Sequence, residues 1–159
     1  MKLIQITSDM LAEANRKALE MGALNNSITN GKGNIYGFVG ELIAEQVLGG
    51  YIVNSYDFDL VLYDGRTTVD VKTKKVSSPP KEYYDCSVAN YNTKQKCDYY
   101  CFVRVLDDLS VGWFLGVYKK DQYFKDAVFL KKGDIDPSNN FTVKADCFNL
   151  KINNLKILC

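Results

Sequence analysis

The sequence contains no histidine among its 159 residues. That absence excludes every mechanism that needs an imidazole: Ser-His-Asp and Cys-His nucleophile pairs, histidine-ligated zinc centres including the HExxH type, and nucleases with histidine as general base. The five cysteines (Cys86, Cys97, Cys101, Cys147 and Cys159) include no Cys-x-x-Cys pair, the short spacing that marks a zinc site. They read as reduced, mostly buried side chains. No apolar run approaches the roughly 20 residues of a membrane span. The N-terminal stretch MKLIQITSDM lacks the charged-then-apolar layout of a signal peptide, so a cytoplasmic protein is expected. Prolines number only 3, and no repeat or low-complexity stretch occurs. Charge of one sign is not in excess either: 20 basic residues face 19 acidic ones, which leaves no global basic field to attract a polyanion. Chemistry must come from carboxylates, lysine, tyrosine, cysteine and a hard metal ion.

What is present suits one globular domain spanning residues 1–159, with 47% hydrophobic and 25% charged residues. A chain of this size buries roughly 70% of its unfolded surface and needs no staple to fold. Thr7-Ser8-Asp9 supplies N-cap residues for a helix over Met10 to Met21, with Gly22 as its stop. A polar loop, Asn25 to Asn34, leads to a second helix, Ile35 to Leu48, closed by Gly49-Gly50. Strands are expected at Tyr51–Val53, Asp59–Leu62, Thr67–Lys74, Tyr99–Val105 and Val111–Tyr118. The stretch Val76 to Lys96 reads as irregular or helical, Lys120 to Ala127 as a short helix, and the tail as edge strands. The fold class is α/β.

Asp64-Gly65 is the strongest hairpin signal and favours a two-residue type I′ turn. With Tyr63 then facing Arg66, Asp59 falls opposite Asp70 and Asp57 opposite Lys72. Directly opposed residues share a face, and alternation adds Lys72 and Lys74 to the face of Asp70. Leu60, Leu62, Val69 and Val71 line the other face as core. A one-residue slip would undo this convergence. Two opposed aspartates repel each other, and a divalent cation turns that repulsion into coordination. Mg²⁺ commonly takes one or two carboxylates and keeps waters for a phosphate substrate. A neighbouring lysine can orient water or neutralise developing charge. The other reading is a solvated charged face carrying an Asp57–Lys72 ion pair.

Glu41 adds a third carboxylate. The Ile35–Leu48 helix is apolar nearly all round, the pattern of a buried helix, and Glu41 falls between the directions of Phe38 and Leu48. A carboxylate there is costly without a partner. Glu45, one turn on, is the alternative, and Glu41, Glu45 and Gln46 also fit a narrow exposed stripe.

On these residues the sequence resembles the PD-(D/E)xK nucleases, the restriction-endonuclease-like superfamily. Gly40-Glu41-Leu42-Ile43-Ala44 followed by Leu48 is similar to its helix motif. Asp59-Leu60-Val61 matches the second-strand motif, and Val69-Asp70-Val71-Lys72 matches the (D/E)-x-K strand. The resemblance covers about residues 34 to 105, and Phe58 stands where many members have proline. It implies a central mixed β-sheet flanked by helices in the order αβββαβ. It implies Mg²⁺ or Mn²⁺ held by Asp59, Asp70, the Val71 carbonyl and Glu41, with Glu41, Asp59, Asp70 and Lys72 as the catalytic set. It implies hydrolysis of DNA phosphodiester bonds by an in-line water, as in small phage and prokaryotic members, and a homodimer is in keeping with it. A non-catalytic DNA-binding or protein-interaction module of the same fold is the alternative.

The neutral total charge hides a local excess. From Arg66 to Lys96 there are seven basic residues and three acidic ones. Lys74, Lys75, Lys94, Gln95 and Lys96 are the expected nucleic-acid contacts, positioned for phosphates without a base-reading element. Tyr83, Tyr84 and Tyr91 lie among these charges, as stacking partners for unpaired bases or as ordinary half-buried residues.

Overall fold

The computed structural model describes residues 1–24, 35–53 and 55–158. The expected loop of residues 25–34 and Cys159 lie outside them. The chain opens on a strand, β1 (Lys2–Gln5), followed by two helices, α1 (Ser8–Leu24) and α2 (Ile35–Leu48). The strands β2 (Tyr51–Ile52), β3 (Leu60–Val61), β4 (Thr68–Val76) and β5 (Asp85–Ala89) come next. A 3-10 turn, Asn90–Lys94, leads into β6 (Tyr99–Leu106) and β7 (Val111–Lys119). The short helix α3 (Lys120–Asp126), β8 (Val128–Leu130) and β9 (Cys147–Lys151) complete the order.

These elements build a mixed six-stranded sheet in the order β1-β7-β6-β4-β3-β2 and a three-stranded antiparallel sheet in the order β5-β9-β8. Within the larger sheet β4 and β6 run parallel and every other pair is antiparallel. A parallel pair requires a crossover, and here the crossover carries β5 and the 3-10 turn. The expected helix between these strands is absent. Cys86 and Val88 are buried while Ser87 between them is exposed, the period-2 pattern of a strand. The tail is corrected as well. β9 lies in the middle of the second sheet, and its partners β5 and β8 flank it on both sides.

The two faces of the large sheet bury different cores. On one, Val69, Cys101, Val103 and Val105 pack under Phe38, Val39, Ile43 and Ala44 of α2, with Ala14 and Ala18 of α1 beyond. On the other, Tyr100, Phe102 and Leu115 pack against Tyr123 of α3, Cys86 and Val88 of β5, and Leu150 of β9. Helices thus cover one face, and a small sheet with α3 covers the other.

Helix α2 ends where its sequence stops it. Gly49 adopts φ 74° and its N–H donates to the Glu45 carbonyl at 2.9 Å, a left-handed C-cap that favours glycine. Helix α1 starts on the Thr7 cap, whose Oγ1 accepts from Met10 N. It runs two residues past Gly22, because a lone glycine inside a helix weakens it without ending it. No helix among the described residues is long and apolar enough to cross a membrane.

Candidate active site

The β3–β4 hairpin keeps the register expected of it. Leu60 pairs with Val69 and Val61 with Thr68, while Asp59 lies just outside the ladder, its N–H donating to the Val69 carbonyl at 2.9 Å and not paired with Asp70 as expected. The turn itself differs. A type I′ turn needs positive φ at both central residues, and only Gly65 has it, at 68°. The last paired residues are Leu62 and Thr67, with the Leu62 carbonyl also accepting from Gly65 N. The reason is Asp64, whose carboxylate accepts from Arg66 N, Thr67 N and Thr67 Oγ1 at 2.5–2.9 Å. It spans the loop from the side. The register survives because both loops leave the same residues opposed.

Strand β3 is only two residues long, so the ladder begins at Leu60 and Asp59 lies just outside it. Asp57 therefore does not face Lys72. Its Oδ1 accepts from Lys96 N at 3.1 Å, and the Asp57–Lys72 ion pair of the other reading does not form. Leu60 and Val69 are fully buried, and Leu62 and Val71 pack against the same core, as the alternation requires.

Asp70 is 3% exposed. Its Oδ2 lies 2.6 Å from Lys72 Nζ, off the direction of a hydrogen bond, so this buried oxygen is paired by charge but receives no aligned donor. Lys72 Nζ also donates to Gln95 Oε1 at 2.9 Å. Gln95 in turn donates from Nε2 to the Tyr56 carbonyl at 3.1 Å. Asp59 Oδ2 accepts from Val71 N at 2.7 Å, which fixes its carboxylate at the head of the β4 motif.

Helix α2 brings in Glu41. Gly40 allows the close approach, since a Cβ there would stand 1.9 Å from Thr73 Oγ1 on β4. The Glu41 side chain is 16% exposed, with Oε2 3.7 Å from Lys17 Nζ of α1. Glu45 is placed elsewhere, where it accepts from Ile52 N at 3.4 Å. Glu41, Asp59, Asp70, Val71 and Lys72 all line one open cleft of about 530 Å³, walled on the far side by Ser87, Ala89 and Cys147 of the second sheet.

The electrostatics follow from this crowding. Burial, then the Asp59 charge, pushes the Glu41 carboxyl up to about 7, against the pull of Lys17. Burial, then the Asp70 charge, pushes Asp59 up to about 6, against its bond from Val71 and the charge of Lys72. Burial raises Asp70 also, offset by Lys72, Gln95 and Lys120. Three carboxyls held above their ordinary range in one cleft favour either protons or a cation.

The donor set fits a hard divalent ion. The carboxyl groups of the cleft offer oxygen ligands only, and Asp70 Oδ2, buried beside Lys72 Nζ, receives no aligned hydrogen-bond donor. Among the described residues no three His, Cys, Asp or Glu groups form a ready-assembled ligand cluster. Mg²⁺ needs only one or two carboxylates from the protein, and Asp59 and Asp70 would be the ones to supply them.

The expected nucleic-acid contacts separate into two groups. Gln95 turns inward to Lys72, while Lys94 and Lys96 are exposed at the end of the 3-10 turn. Lys74 and Lys75 stand further along β4, on a neighbouring cleft. Two residues at the site escaped the sequence reading. Lys17 meets Glu41 from α1, and Lys120 donates from Nζ to the Gln95 carbonyl from the start of α3. Neither belongs to a spacing motif; each arrives through helix packing. No protein-family model matches the sequence, and no curated protein matches it.

Proposed function

We propose that the protein is a metal-dependent deoxyribonuclease of the PD-(D/E)xK kind, an endonuclease that hydrolyses DNA phosphodiester bonds with Mg²⁺ or Mn²⁺. The observation that carries this reading is the meeting of Glu41, Asp59, Asp70 and Lys72 on one open cleft. Their positions in the fold agree with it: a helix carboxylate, an aspartate before the second hairpin strand's partner, and Asp-x-Lys on a strand that runs parallel to the next core strand. The strand-bearing crossover is the departure from αβββαβ.

Asp59 and Asp70, with the Val71 carbonyl and Glu41, are the groups to hold the cation. When bound, the cation supplies positive charge to the phosphate and acidifies water. Lys72 is oriented by Asp70 and Gln95, and its ammonium places a fixed positive charge where negative charge grows on the phosphate. Gln95 acts as a positioning residue for that lysine, tied down by the Tyr56 carbonyl and by Lys120. The raised Glu41 and Asp59 carboxyls give the metal-free cleft proton affinity near neutral pH.

The test is incubation of plasmid, single-stranded and branched DNA with Mg²⁺ or Mn²⁺. Cleavage is expected, and Lys72→Ala and Asp70→Asn are expected to remove it with the circular dichroism spectrum unchanged. DNA of every form left intact in both metals overturns the reading. Binding without cutting, unaltered by Asp70→Asn, replaces it with the non-catalytic module.

A further inference from the structure

A second cleft, of about 640 Å³, adjoins the first, and Ser87, Ala145 and Cys147 line both. Its floor is set by the parallel register of β4 and β6, which places Lys74 beside Arg104. Two cations side by side on one sheet face repel each other. Arg104 is only 5% exposed, yet it has no carboxylate partner; Nη2 donates to the Asp85 carbonyl at 3.0 Å. Lys74, Lys75 and Lys144, which also line the cleft, make no ion pair among the described residues.

The acidic groups of this cleft are already satisfied. Asp85 is bridged to Lys151 at 2.8 Å, and Asp136 accepts from Ser138 N and Oγ. Four cations, Lys74, Lys75, Arg104 and Lys144, thus face two carboxylates, one of them already bridged to Lys151, and the lining keeps a positive excess. Asn149 Oδ1, also on the lining, is buried without a donor. Aromatic rings stand among the cations: the Arg104 guanidinium is 5.2 Å from the Tyr84 ring centre, and Tyr83 lies edge-on to Tyr84 at 5.1 Å.

A buried, unpaired guanidinium suits a phosphate, which takes its planar fork bidentately. Rings alternating with cations suit bases, which stack without regard to sequence. A concavity of this volume encloses something the size of a small ligand, in the range of about 300–1,000 Å³. We propose that this second cleft seats unpaired nucleotides of the same strand that is cut in the first, with Arg104 and Lys74 on phosphate and Tyr83 and Tyr84 against bases. The substrate class is then DNA with a single-stranded segment, such as a flap, fork or branch. The proposal rests on the nuclease reading above.

The test is fluorescence anisotropy in EDTA, with single-stranded, forked and blunt duplex oligonucleotides, beside a cleavage assay in Mg²⁺. Wild-type protein is expected to bind the single-stranded and forked forms about tenfold or more tighter than the duplex. Lys144→Ala and Tyr83→Ala alter exposed side chains, so they leave the fold intact where Arg104→Met disturbs it. Each is expected to weaken single-strand binding several-fold. Lys144→Ala also flattens the slope of log affinity against log salt by about 0.7. Equal affinity for duplex, or wild-type binding by both variants, overturns the proposal while cleavage in Mg²⁺ keeps the nuclease reading. A nucleoside monophosphate that displaces the oligonucleotide at comparable concentration also overturns it, in favour of a small-molecule site. Absence of both binding and cleavage ends both readings.

Discussion

At the scale of single residues, the pair Glu41 and Asp59 sets a pH dependence whose sign is fixed. Both carboxyls are raised in the folded state, to about 7 and about 6, chiefly by burial. The folded protein therefore holds these protons more tightly than the unfolded chain. The stability they contribute is fully present below the ordinary carboxylate range and is lost as pH climbs through about 6 and then about 7. A divalent cation binds the ionised carboxylates, so its stabilisation grows over the same window. Melting curves of metal-free protein are expected to show this loss between about pH 4 and about pH 7. Mg²⁺ at about 100 times its Kd adds about 2.7 kcal/mol at the upper pH and little at the lower. That is a shift of several degrees, at about 2–4 °C per kcal/mol for a chain of this length. Glu41→Gln with Asp59→Asn weakens both trends and leaves the part that comes from the raised Asp70; a Mg²⁺ shift of the same size in that variant sinks the assignment of these residues as ligands. Asp59, Asp70 and Lys72 were legible in the sequence because strand alternation and hairpin opposition are local rules. Lys17 and Lys120 were not, since each reaches the site through the packing of a whole helix.

At the scale of elements, the seating of α2 on β4 controls where Glu41 stands. The contact is made at Gly40, against Thr73, whose Oγ1 is buried without a hydrogen-bond partner. Gly40→Ala forces the helix off the strand, since the branched Thr73 side chain has no free end to swing away. The expected cost is about 1–3 kcal/mol, together with loss of cleavage as the adjacent Glu41 is displaced. Gly37, one turn earlier on the same helix, faces open space: a methyl group added there would meet nothing within 4 Å. Gly37→Ala is expected to gain up to about 1 kcal/mol from helix propensity. Thermal melts of the two variants check the contrast, and equal shifts in the same direction refute it. Helix α2 was readable to the residue because its apolar pattern and glycine stop agree. Strand β5 was not, because its five residues find their partner in β9, more than fifty positions later. Asp57 was misplaced for a related reason: hairpin arithmetic assumes that the strands continue, and β3 stops after Val61 in one direction and Leu60 in the other.

At the scale of the whole molecule, the near-neutral total charge divides between two adjoining clefts, one acidic and one basic. The second sheet forms a wall of both, so its attachment to the first is what holds the two together. Tyr123 makes much of that attachment. It is fully buried between the layers, and its single O–H is shared between the carbonyls of Cys86 on β5 and Phe148 on β9, at 2.8 and 2.7 Å. Its ring stacks on Phe102 of the large sheet at 5.7 Å. Tyr123→Phe keeps the ring and removes only the shared proton, leaving two buried carbonyls short of a donor. The expected cost is about 1–3 kcal/mol. The loss falls on the second sheet first, because β4 and β6 keep their own ladder and core. Hydrogen exchange is expected to quicken in β5 and β9 while β4 and β6 stay protected. Cleavage should weaken through substrate affinity more than through turnover, since Asp70 and Lys72 stand on β4, Asp59 beside β3 and Glu41 on α2, all on elements that share the other core. Uniform exchange across both sheets, or a fall in turnover with affinity intact, shows instead that the two layers open as one unit.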